Sequence, residues 1–185
     1  MRSIITHIIF FLFLSNANFI FAQTANSNIN PDSINITFLE SLVKTKIDSV
    51  RLKNKRKILV INDTLKKAAD DQAMYMMKKK NLTHFQDNPK KKEVDDRIKF
   101  YGMKKSKVGE NINYTFIFTP ISNGKKKTYV NTTYEETAND ITKLWVNSKG
   151  HFENMIDPDY YYTAVAISYD KKLKRVYAVQ DFSSE

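Results

Sequence analysis

Two histidines, His84 and His151, and a few acids near them in the chain are the side chains best suited here to acid–base chemistry or to metal ligation. The third imidazole, His7, lies in an N-terminal apolar run that export would remove. His84 stands in Asn81-Leu82-Thr83-His84-Phe85, just past the Lys78–Lys80 run. His151 stands in Trp145-Val146-Asn147-Ser148-Lys149-Gly150-His151. Both fall at the ends of expected elements, where sites are commonly assembled. Between them, Val108-Gly109-Glu110-Asn111 makes a Gly-led acidic turn. The chain has no cysteine, which excludes a disulfide framework, a thiolate zinc site, an iron–sulfur cluster and a cysteine nucleophile. Ser148 lies three residues before His151, but proximity in sequence does not make a catalytic triad. Taken singly, each residue also has a plainer explanation. Glu110 could cap backbone donors, and either histidine could be an ordinary polar loop residue.

The elements that must position these groups can be read from spacing. Residues 1–22 carry Arg2, an apolar run from Ile4 to Leu14 and a small residue at Ala22, the layout of a signal peptide cleaved after Ala22. That run is too short to span a bilayer comfortably, and no later run approaches a transmembrane length. Residues 23–36 are polar and Asn-rich and predict a disordered leader, with one domain over 37–185. Thr37 with Glu40 forms a capping box before Phe38, Leu39, Leu42, Val43, Ile47 and Val50, predicting a helix to about residue 54. A second helix begins near Asn62 and Asp63, with Leu65, Ala68, Ala69, Ala73 and Met76 on one face. Asp95 to Tyr101 predicts a short third helix ended by Gly102. Ile112 to Phe118 predicts a strand stopped by Pro120, followed by an exposed loop at Ser122 to Lys127. Thr133 with Glu136 makes another capping box, opening the helix that carries Trp145. Two strands, near Tyr161–Tyr169 and Arg175–Phe182, close the chain. Helices precede most of the strands, which favours an α+β layer architecture over alternating βαβ units.

The chain has 185 residues, 30 basic against 20 acidic, and a formal net charge of +10. The positive charge comes from 25 Lys and only 5 Arg, in clusters such as Lys53/Lys55/Arg56/Lys57, Lys78–Lys80 and Lys104/Lys105/Lys107. Arginine is the better bidentate phosphate ligand, and no nucleic-acid motif is present, so specific nucleic-acid binding is not expected. The clusters predict a solvated basic surface, with anionic envelope polymers or lipid headgroups as the partners it would attract.

The order of these segments carries a resemblance that no segment carries alone. It runs from the Ala-rich helix to His84, through Asp96-Arg97-Ile98 and Gly109-Glu110-Asn111, to Trp145…Asn147-Ser148…Gly150-His151…Asn154, then paired strands. Over residues 38 to 182 this resembles the CAP superfamily, the domain of cysteine-rich secretory proteins, antigen 5 and plant pathogenesis-related proteins. It is most similar to the small cysteine-free bacterial secreted members. The resemblance implies an α+β, single-domain, three-layer α–β–α sandwich with a small, mainly antiparallel sheet. It also implies a cleft lined by two histidines and two acids. Position by position these are His84, Glu110, His151 and Asp140, five residues before Trp145, where the family usually has Glu. Glu136, one turn earlier, is the partial substitute. Asn111 and Ser148 line the same cleft, and Ala164 and Ala166 stand where glycines are frequent. The resemblance further implies an exported protein binding a lipid, a sterol or a partner. No cofactor is required, although His84 and His151 could take up a divalent metal such as zinc. The competing implication is a metal-assisted hydrolase with His84, Glu110, Asp140 and His151 as its catalytic groups.

Overall fold

Helices form where caps and apolar spacing coincide, and the computed structural model, which describes residues 24–104, 106–123 and 126–185, shows how they pack. The signal-peptide reading of residues 1–22 lies outside the described residues. Helix α1 (Ile36–Lys53) is followed by the short strand β1 (Val60–Ile61) and helix α2 (Asp63–Lys79), then α3 (Val94–Phe100). Strand β2 (Val108–Phe116) leads into a hairpin, β3 (Thr119–Asn123) and β4 (Lys126–Val130). Helices α4 (Tyr134–Val146) and α5 (Lys149–Ile156) precede β5 (Tyr162–Asp170) and β6 (Arg175–Ser183).

The main sheet has the order β1-β5-β6-β2, with β1 parallel to β5 and the other pairs antiparallel. Alternation along its strands sends side chains to two cores. On one face, Leu39, Val43 and Ile47 of α1, Trp145 of α4 and Met155 of α5 pack with Val165, Ile167, Val176, Ala178 and Phe182. On the other, Ala69, Ala73 and Met76 of α2 meet Ile112, Ala166, Tyr177 and Val179, while Leu65, Ala68 and Ile98 meet Ala164. The alanines on both sides of this second interface let α2 lie close to the sheet. The result is the expected α–β–α sandwich.

Sequence and structure part company at several elements. The stretch expected to be a disordered leader is fastened to α4. The Ile29 amide donates to the Thr132 carbonyl (2.8 Å) and the Glu135 amide to the Ala25 carbonyl (2.7 Å). The Asn35 amide donates to the Tyr134 hydroxyl (2.9 Å), and Ile29 is buried. One apolar anchor and a run of backbone bonds outweigh the polar composition. The cap of α1 is Asn35, whose side chain accepts from the Phe38 amide, and not the Thr37–Glu40 box. Glu40 instead accepts from the Ile167 amide (2.9 Å) and pairs with Lys66 (3.2 Å), tying α1 to β5 and α2. The expected Ser122–Lys127 loop falls within the β3–β4 hairpin, where Asn123 pairs with Lys126. His151, expected just past a helix, lies in the first turn of α5, which composition alone did not announce.

Candidate functional site

Glu110 is the centre of the site because β2 delivers it to the α2/α3 face with its carboxylate almost wholly buried, the side chain being 1% exposed. Its Oε1 meets Nδ1 of His84 at 2.7 Å. Its Oε2 accepts a short hydrogen bond from the guanidinium of Arg97, a side chain fully out of water. Arg97 also donates to the His84 carbonyl (3.0 Å) and, at longer reach, to the carbonyls of Lys91 and Lys92 (both 3.4 Å). One buried cation therefore fixes the carboxylate and the loop that carries its histidine. The same loop is held from α2, where buried Gln72 donates to the Thr83 carbonyl and accepts from Gln86 (3.0 Å). Lys80, left-handed at φ 55°, ends α2 and turns the chain into this loop.

A residue that spacing did not nominate completes the cluster. Asp181 of β6 is the direct cross-strand partner of Glu110 and is fully buried. As an anion it would have no donor for either oxygen among the described residues. Burial, and then the charge of Glu110, push its carboxyl well above the usual Asp range. Glu110 is thus held by His84 and Arg97, with Asp181 opposite it across the strands. The signal available in the sequence was register: once β2 and β6 are paired, Asp181 must lie beside Glu110.

His151 approaches from the other side of β2. Buried Asn111 donates to the His151 carbonyl (3.0 Å) and accepts from Asn154 (2.9 Å), clamping α5 to the strand. Asn111 is therefore a fastening, not an exposed cleft residue. Gly109 beside it is required by crowding, since a Cβ there would stand 2.5 Å from the Tyr160 hydroxyl. Burial and the neighbouring His84 pull the His151 imidazole below its usual range, so it is neutral at pH 7. The interaction also brings the two histidines into one electrostatic neighbourhood. The His84 side chain is 47% exposed.

Asp140 does not join them. Its carboxylate accepts from the Thr115 hydroxyl and from Asn131 Nδ2 (3.1 Å). Thr115 lies five residues along β2 from Glu110, about 17 Å at the rise of a strand, and on the opposite face. Glu136 is also elsewhere, accepting the amides of Thr132 (2.7 Å) and Thr133 (3.2 Å), which hold its carboxyl below the usual range. Ser148 is the N-cap position of α5, and its side chain makes no capping hydrogen bond. Among the described residues, no group of three or more His, Asp or Glu is arranged to hold a metal ion. His84 and His151 alone fall short of the three protein ligands of a catalytic zinc.

Comparison with known proteins identifies the domain that carries these residues. The model of the cysteine-rich secretory protein family, CAP, matches residues 45–182. Among solved structures, an outer surface protein from Borrelia burgdorferi is similar with a TM-score of 0.63 at 18% identity, covering 86% of this chain and 99% of that one. An extracellular protein containing a SCP domain from Bacillus anthracis gives 0.62 at 16% identity, covering 86% of this chain and 45% of that one. A cysteine-rich secretory protein from Staphylococcus aureus gives 0.57 at 12%, covering 82% and 40%. This chain thus spans less than half the length of the latter two. No curated protein matches it.

Proposed function

The chain belongs to the cysteine-rich secretory protein (CAP) family, and on that premise we propose that it is an exported binding protein whose His84/His151 cleft takes a lipid, another small ligand or a partner without turning it over. The observation that carries this reading is the confinement of Glu110. A general base must reach a substrate or a water. Glu110 is nearly inaccessible, and its oxygens are committed to His84 and Arg97, so it serves to orient an imidazole. The second acid expected in the cleft, Asp140, is bound to Thr115 and Asn131, so it is not available there to activate water. What remains open to a ligand is a pair of imidazoles, one neutral and one aligned by its carboxylate. These are hydrogen-bonding groups that can grip a polar head.

Export is part of the proposal. It rests on the apolar N-terminal segment and on the extracellular or surface descriptions of similar structures. No described helix is long and apolar enough to cross a membrane. The test is to follow the ring resonances of His84 and His151 while adding monomeric short-chain phospholipid, a soluble sterol sulfate or zinc chloride. Peptide and ester libraries are assayed on the same protein. Ring shifts without product are expected. Turnover that is abolished by His151→Ala would overturn the reading in favour of a hydrolase built on His84, Glu110 and His151.

A further inference from the structure

The Lys53–Lys57 cluster builds a cavity of its own, at the β1 edge of the sheet and away from the histidines, which flank β2 at the other edge. Helix α1 ends in a reversal. The Arg56 amide returns to the Arg51 carbonyl (2.9 Å) and the Lys55 amide to the Leu52 carbonyl (3.0 Å), with Lys55 left-handed at φ 58°. That hydrogen-bond pair is the Schellman reversal, with lysine where glycine is usual. It folds Arg56 back over Arg51.

Four cations line the resulting space of about 480 Å³: Arg51, Lys55, Arg56 and Lys57. No salt bridge among the described residues involves any of them. Arg51 is nearly buried and spends its Nε and one Nη on the carbonyls of Lys57 (2.7 Å), Met155 (2.7 Å) and Asp157 (3.1 Å). Those carbonyls satisfy donors but carry no full charge, and the nearby carboxylates of Asp48 and Asp157 act on the guanidinium without forming a salt bridge with it. Burial, and next the charge of Arg56, pull the Arg51 guanidinium below its ordinary range, so the two cations stand close enough to repel. Nε of Arg56 is buried with no partner. Much of the remaining wall is apolar, with Ile58 54% and Tyr161 63% exposed.

We propose that this cavity is an anion site for a phosphomonoester carried on an apolar or aromatic body. The charge argues for phosphate, because four cations that form no salt bridge among the described residues match a dianion better than a single carboxylate, and guanidinium is the side chain suited to phosphate oxygens. The exposed Ile58 and Tyr161 argue for the body, since covering them contributes roughly 25 cal/mol for each Å² of apolar surface removed from water. The volume is that of a small-molecule pocket.

The test titrates the protein, as recovered from the exporting cell, with 1-naphthyl phosphate, inorganic phosphate and 1-naphthol, read by calorimetry. Naphthyl phosphate should bind about tenfold or more tighter than either fragment and weaken as salt is raised. Arg56→Gln should weaken it by about tenfold, the share of one charge-assisted contact. Should that variant unfold, Lys55→Asn removes a charge while keeping a residue that tolerates the left-handed conformation, and it should weaken binding as well. Equal affinity for naphthyl phosphate and inorganic phosphate, or for naphthyl phosphate and naphthol, overturns the proposal. So does binding that survives Arg56→Gln or Lys55→Asn in folded protein. Binding lost in His84→Ala but kept in Arg56→Gln would put the anion in the histidine cleft, so the two readings fail separately.

Discussion

Asp181 lies in a fully buried position beside Glu110, where a negative charge of its own would have neither water nor a donor among the described residues. It therefore folds as an acid, and folding must take up a proton wherever the unfolded chain would have lost it. Its folded value lies above the unfolded one, so its stabilising contribution is complete below about pH 4 and is lost as pH rises toward the folded value. Asp181→Asn supplies a neutral donor of the same shape. Its stability relative to the natural protein should therefore grow as pH rises above about 4, as urea unfolding at a series of pH values would read. A gap that stays constant with pH would mean that Asp181 folds as an ion. Glu110→Gln tests the same cluster from the other side. It removes the charge that opposes ionisation of Asp181 and leaves Arg97 in want of a counter-ion, a role Asp181 then takes. In that background, adding Asp181→Asn should cost roughly 3–5 kcal/mol, the penalty of a buried charge stripped of its partner. Additive single and double variants in a mutant cycle would refute this coupling.

At the scale of elements, the site depends on how tightly the start of β2 lies against Tyr160 and α5. Gly109→Ala would drive a methyl group into the Tyr160 hydroxyl and the Asn154 side-chain oxygen, at 2.5 and 3.3 Å. The expected cost is about 1–3 kcal/mol, as for other overpacked sites. Tyr160→Phe in the same chain removes the nearer obstacle and should recover part of it, as thermal unfolding would reveal. A Gly109→Ala variant as stable as the parent would show that this contact relaxes freely. The helices themselves were largely legible: the Asn62 cap, the Thr133–Glu136 box and the apolar face through Trp145 fall where spacing predicts. The α5 helix was not, because Ser148-Lys149-Gly150-His151 lacks the acidic first turn and side-chain cap that announce a helix. Its support is tertiary, through Asn111 and Met155.

For the whole molecule, the N-terminal strap joins two helices that are distant in sequence. Ile29 is buried in the main core, and Asn35 both caps α1 and bonds Tyr134 of α4. Removing residues 24–34 should therefore lower stability by about 2–3 kcal/mol, the worth of one buried isoleucine, and raise amide exchange at the start of α4. Unchanged exchange at Tyr134 and Glu135 would show the strap to be idle.

The sequence by itself determined the main helices, the paired closing strands and the family pattern, and it singled out His84, Glu110 and His151. Caps, period and motif order are local, and they survive without knowledge of what packs where. It could not place Asp140 and Asp181. Asp140 follows the family spacing, yet its helix turns it toward Thr115. Asp181 follows no motif, yet cross-strand register sets it against Glu110. Which carboxyls share a site is decided by which faces of the sheet they reach, and that is known only once the strands are paired. The same holds for Arg51 and Arg56. In the sequence they are two members of a basic run; the reversal at Lys55 brings them together.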